Sequence, residues 1–167
     1  MNILKNNITK ILLGILMITI LNSCENNGYE DYEVATTPSV KMNGEWYIDI
    51  SDASGTVLAQ HAHHITYDTN DGNSTMYIND NKEGYWLKGK LNVDTNNLTF
   101  SVTDEENLID PGSTFTITEG KILKNAARSK AGNVTDSIYF KGEFSYDPGN
   151  IIIFSGHKRT GFLEDNY

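Results

Sequence analysis

Three of the four histidines in this 167-residue chain fall in one pentapeptide, Gln60-His61-Ala62-His63-His64. On a strand, side chains alternate between faces, so His61 and His63 share one side and His64 takes the other. A His-x-His pair inside a barrel can begin a zinc or iron site, and His157 is the remaining imidazole that could complete it. The flanking residues are small or polar, which suits exposed or half-buried histidines at a rim better than ligands. Ser155 precedes His157 by two positions on one strand face, within reach of an Oγ–imidazole contact. Acyl transfer would further need an acid to orient the imidazole and a nucleophile on a strained turn. No acid can be assigned, no Gly-x-Ser-x-Gly occurs, and Ser113 sits in a turn sequence. Asp68-Thr69-Asn70-Asp71-Gly72-Asn73 has the composition of a calcium loop, but its glycine falls one position early, and a turn accounts for it. Asp136-Ser137-Ile138 has the form of a bacterial O-glycosylation site, in a segment that reads as a strand. No catalytic residue, metal ligand or cofactor is therefore expected. The reading leans away from an enzyme.

Other residues could bind without reacting. Lys121, Lys124 and Arg128, with Lys130 close by, form a basic run in an acidic chain. They could rim a binding site and receive an anionic head group, or simply be a solvated loop. Tyr85 and Trp86 are consecutive, so one must face out, and an outward Trp would suit a sugar platform or a partner patch.

The single cysteine, Cys24, follows a short apolar run, Ile11–Leu21, behind Lys5 and Lys10. Such a run spans roughly 16 Å as a helix, short of a hydrocarbon core of about 30 Å. It reads as a signal peptide over residues 1–23. Leu21-Asn22-Ser23-Cys24 matches a lipobox, where the cysteine is acylated and several acyl chains hold the protein on a membrane. An outer-membrane lipoprotein, at the cell surface or on the periplasmic face, is the expected location. Glu30, Asp31 and Glu33 resemble a surface-export signal, or serve as a solvated tether. Loss of Lys5 and Lys10 takes the formal charge from −9 to −11. That argues against nucleic acid and anionic surfaces as partners. Residues 24–42 hold few large apolar groups and read as a lipidated flexible linker. One domain, 43–167, follows.

In that domain the dominant hydrophobic period is two. Trp46, Ile48 and Ile50 alternate with polar neighbours, as do Leu98, Phe100 and Val102, then Phe115 and Ile117, then Ile138, Phe140 and Phe144. The pattern predicts strands at 44–50, 57–67, 74–79, 85–93, 97–103, 114–122, 136–145 and 151–158. The turns between them include one at Asp147-Pro148-Gly149-Asn150. Residues 121–132 read equally as a helix or a long basic loop. The fold class is all-β: an eight-stranded antiparallel up-and-down barrel, closed by pairing the first strand with the last.

Gly44-Glu45-Trp46 at the first strand resembles the G-x-W signature of lipocalins and other calycins. The resemblance implies that Trp46 closes the barrel bottom and that Arg159 packs over it. More of the chain is similar to the Bacteroidetes family called lipid-binding putative hydrolases. The matching stretches are NGEWYIDI (43–50), MYINDNKEGYWLKGKLNVD (76–94), LTFSV (98–102), GKILKNAARSKAGNVTDSIYF (120–140) and SGHKRTGFLED (155–165). The family implies lipocalin-like lipoproteins and supplies no established catalytic residues. The segment around the histidines matches least.

These readings lead to a lipoprotein that binds a lipid or other small apolar ligand inside a lipocalin-like barrel. Leu87, Leu91, Phe100, Phe115, Phe140 and Phe154 are expected to line the pocket, because small residues such as Gly89, Gly142 and Gly156 leave space among them. Its mouth is expected opposite Trp46, with Lys121, Lys124 or Arg128 near the rim. The alternatives are a glycan-binding or scaffold accessory of the cell surface, with outer-membrane protein partners, and then a hydrolase.

Overall fold

The computed structural model describes residues 37–71 and 74–167. The expected signal peptide, Cys24 and most of the expected linker lie outside them, as do Gly72 and Asn73 of the expected Asp68–Asn73 turn. The strands are β1 (Gly44–Asp52), β2 (Val57–Asp68), β3 (Thr75–Asn79), β4 (Lys88–Asp94), β5 (Thr99–Glu106), β6 (Thr114–Arg128), β7 (Val134–Phe144) and β8 (Asp147–Lys158). Each pairs antiparallel with the next, and β8 returns to β1, so the sheet is a closed barrel. The period-two rows point inward as alternation requires. Trp46, Ile48 and Ile50 face Phe140, Phe154 and Ile152 in one buried cluster.

Three local readings change. Residues 121–128 continue β6 rather than forming a helix or loop. Lys, Leu and Ala are good helix formers, but tertiary context overrides propensity: Ile122 is buried opposite Ile138, and the ladder runs on to Arg128 opposite Val134. The β7–β8 turn is Ser145-Tyr146, and Asp147–Asn150 lie in β8. The register jumps there from Gly142↔Ile152 to Phe144↔Asp147. Pro148 thus occupies a bulge, where no ladder donor is needed. Pro38–Met42, read as the end of the linker, form a 3-10 turn with Ser39 and Met42 buried.

The interior is filled by its own side chains. A Cβ at Gly89 would stand 2.5 Å from the Phe115 ring. One at Gly120 would stand 2.4 Å from the Phe100 ring, and one at Gly142 would meet Phe144 and Phe154. The glycines are notches that aromatic rings occupy. Phe140 stacks on Phe154 at 4.3 Å between centroids, and Phe100 meets Phe140 edge-on at 5.8 Å. Leu87, Leu91, Phe100, Phe115, Phe140 and Phe154 are all buried in this cluster. The space expected beside Gly89, Gly120 and Gly142 is taken up by neighbouring rings, and the six side chains pack in one buried cluster, Phe100 also bordering a groove across β4, β5 and β6.

Gly156 has a different role. A Cβ there would lie 2.1 Å from the Tyr47 carbonyl oxygen and 2.8 Å from the Ile48 Cα. Both are backbone atoms of β1 that cannot step aside without opening the β1–β8 seam. Gly156→Ala is expected to lower stability by roughly 1–3 kcal/mol, as overpacking does. Urea denaturation reads this directly, and an unchanged midpoint would mean the seam is looser than described.

Candidate ligand-binding groove

The loops at the two barrel ends differ in kind. At one end, the start of β1 and the end of β8 meet at Trp46, whose buried indole donates to the Thr66 hydroxyl at 2.9 Å. That hydroxyl donates in turn to the Met42 carbonyl at 2.7 Å. The cation over the Trp46 ring is Lys158, 5.8 Å from its centroid, and not Arg159. Trp46 pairs directly with Lys158 across β1 and β8, so the two share the inner face. Arg159, one residue on, turns outward and binds the Glu45 carboxylate at 2.6 Å and Asn166 at 3.2 Å. Gly44 admits the Lys158 stem, since a Cβ there would lie 2.6 Å from Lys158 Cε. The glycine of the Gly-x-Trp signature thus leaves room for the lysine beneath the ring.

The basic run belongs to this same end. Lys124 donates to the Asp136 carboxylate at 2.9 Å and to the Lys41 carbonyl at 2.8 Å. Arg128 donates to the Gly132 carbonyl, and Lys121 lies over the Tyr139 ring. These side chains have partners on the outer face of β6 and β7, and Lys124 marks the Trp46 end, away from the expected mouth.

The opposite end carries an aromatic groove of about 330 Å³, lined by Gly84, Tyr85, Trp86, Asp110 and Tyr146. Trp86 is 46% exposed. Tyr85 and Tyr146 lie nearly parallel, 6.3 Å apart, and both pack on the buried Phe144 ring. The Tyr146 hydroxyl donates to the Trp86 carbonyl at 3.3 Å, and the Tyr85 hydroxyl donates to the Asp147 carboxylate at 3.1 Å. Asn107 holds the walls together. It is fully buried, donates to the Trp86 carbonyl at 2.6 Å, and accepts from the Lys88 and Ile109 amides. Nothing in the sequence reading singled out Asn107 or Tyr146. An Asn between the end of a strand and a turn is the available signal, and it is a weak one. A larger groove of about 590 Å³ crosses β4, β5 and β6, but its lining is polar apart from Val93, Phe100 and Gly120.

The histidines separate as alternation predicts. His63 faces out and contacts Glu45 at 3.2 Å. His61 stacks on Tyr167 at 3.6 Å, on a bulge in β2. His157 contacts the Tyr167 hydroxyl and the Lys158 carbonyl. Among the described residues, Ser155 makes no side-chain hydrogen bond to it, and no three His, Cys, Asp or Glu side chains converge to hold a metal ion. Ser113 closes a turn by donating to the Asp110 carbonyl at 2.8 Å.

The profile of a family described as lipid-binding putative hydrolase matches residues 31–163, which covers all eight strands. The chain belongs to that family. No curated protein matches the chain. In this lipid-binding putative hydrolase family member, the Tyr85–Trp86–Tyr146 groove is open to solvent, while the apolar rows of the strands are buried in one core cluster.

His64 is a titratable group inside that core. It is fully buried, its Nδ1 contacts the Ala62 carbonyl at 3.1 Å, and its Nε2 has no hydrogen-bond partner among the described residues. Burial lowers its pKa from the ordinary 6.5 to about 4. The unfolded chain therefore binds a proton over that window and the folded one does not. Stability from this group is complete above pH 6.5 and is lost as the pH falls to 4, at about 1.4 kcal/mol per unit or roughly 3 kcal/mol in all. The wild type should lose that much more stability than His64→Phe between pH 7 and 4, measured by urea midpoints. Parallel losses in the two proteins would remove His64 as the cause.

Proposed function

We propose that this chain is a membrane-anchored lipoprotein that binds the apolar part of a lipid or similar small molecule in the Tyr85–Trp86–Tyr146 groove. The observation that carries the reading is an open aromatic groove on a barrel whose core is filled. Membership of a lipid-binding family supports the ligand class. The groove volume is at the small end of the 300–1,000 Å³ common for ligand sites. An acyl chain would therefore lie partly across the barrel end, gaining roughly 0.8 kcal/mol for each methylene it buries. Acylation of Cys24 and an outer-membrane location complete the proposal, on the strength of the lipobox pattern. A glycan platform is the second reading. It is favoured by the exposed Trp86 face beside the carboxylate of Asp110.

The test has two stages. Cys24→Ser should move the protein from the membrane fraction to the soluble one, and retention after an alkaline wash would remove the anchor. That soluble protein, delipidated, is then titrated with a fluorescent alkyl chain carrying an uncharged head. Trp86→Ala should weaken binding about tenfold, as loss of an aromatic anchor does, while Phe140→Trp should leave it unchanged. Loss of binding on Phe140→Trp alone would put the ligand in the barrel. Saturable binding of oligosaccharides but not of the alkyl chain would favour the glycan reading.

A further inference from the structure

The charge at the groove constrains the polar end of its ligand. We propose that the groove takes a positively charged head, an ammonium or quaternary ammonium group on an amphiphile; this rests on the groove reading above. The walls are the rings of Tyr85, Trp86 and Tyr146. An aromatic face is the negative end of a quadrupole and attracts a cation within about 6 Å of its centroid. Trp86 already has such a neighbour, since Lys82 Nζ lies 5.0 Å from the ring centroid. Lys82 does so from a left-handed backbone conformation, φ 64°.

Carboxylates surround the same rings. Asp110 lines the groove, and Asp147 accepts from the Tyr85 hydroxyl. Asp80 is fully buried at the start of the loop that carries Tyr85 and Trp86, and its Oδ2 has no hydrogen-bond partner among the described residues. The field of these groups is felt at the phenols. Burial, then the charge of Asp80, then Tyr85, Asp110 and Asp147, push the Tyr146 pKa far above its ordinary value. Tyr85 is raised by burial and then by Asp147. Burial resists a charge of either sign; it is the carboxylates beside the rings that favour a positive one. Lys82 is the basic side chain beside these rings, while Lys124 and Arg128 are bound to partners elsewhere.

The experiment compares three ligands of equal chain length below their micelle concentrations: decyltrimethylammonium, decanol and decanoate. Isothermal titration of the full-length Cys24→Ser protein should show the trimethylammonium compound binding about tenfold tighter than decanol, the scale of one desolvated cation–π contact. Decanoate should bind more weakly than either. Asp110→Asn should shrink the ratio of trimethylammonium to decanol affinity. Lys82→Met should enlarge it, because the resident ammonium no longer competes for Trp86. Equal affinities, tighter binding of decanoate, or a ratio untouched by Asp110→Asn would overturn the head-group inference while leaving the lipid groove standing. Failure of all three ligands to bind would overturn both.

Discussion

Everything in this barrel depends on aromatic rings seated in glycine notches. Phe115 lies across position 89, Phe100 across position 120, and Phe144 and Phe154 across position 142. Each ring gains apolar burial because the glycine it covers has no side chain, and dense interiors gain from such interlocking. The same arrangement lets eight strands close tightly. At the seam itself, the bare backbone of Gly156 lies against Tyr47 and Ile48 of β1. Closure leaves no free edge for another chain to pair with.

A filled core moves binding to the ends of the barrel, and the ends are not alike. One is sealed by the indole–hydroxyl–carbonyl chain of Trp46, Thr66 and Met42, with Lys158 beneath the ring. The other is held open by the rigid loop that Asn107 ties to the Trp86 carbonyl. Lys121, Lys124 and Arg128 lie on β6 toward the sealed end, while Asp110 and Asp147 stand beside the aromatic rings of the open one.

Much of the fold was legible in the sequence because period two is a direct image of a sheet with one wet face. Trp46, Ile48 and Ile50 place β1 without reference to any partner. Barrel closure followed from strand number and edge avoidance. Readings that needed a partner's position fared worse. Lys158 and Arg159 are adjacent, and only the β1–β8 register says which one shares Trp46's face. The glycines read as space in the sequence, because composition does not reveal which ring fills it. Tyr85 and Trp86 announced that one of them must face solvent. Tyr146 and Asp110 come from other hairpins, so the groove they complete exists only once the chain has folded. Residues 121–128 read equally as helix or loop in isolation and are strand because Ile122 meets Ile138.

The central claim is that ligand meets the groove and not the core. The most direct measurement is the pattern of NMR shift changes as an alkyl ligand with an uncharged head is titrated into the folded protein. The account predicts changes at the Trp86 indole N–H and at the amides of Gly84, Tyr85, Asp110 and Tyr146, with the methyls of Ile48, Ile78 and Ile117 still. Changes spread through those core methyls, with the Trp86 signal unmoved, would contradict it.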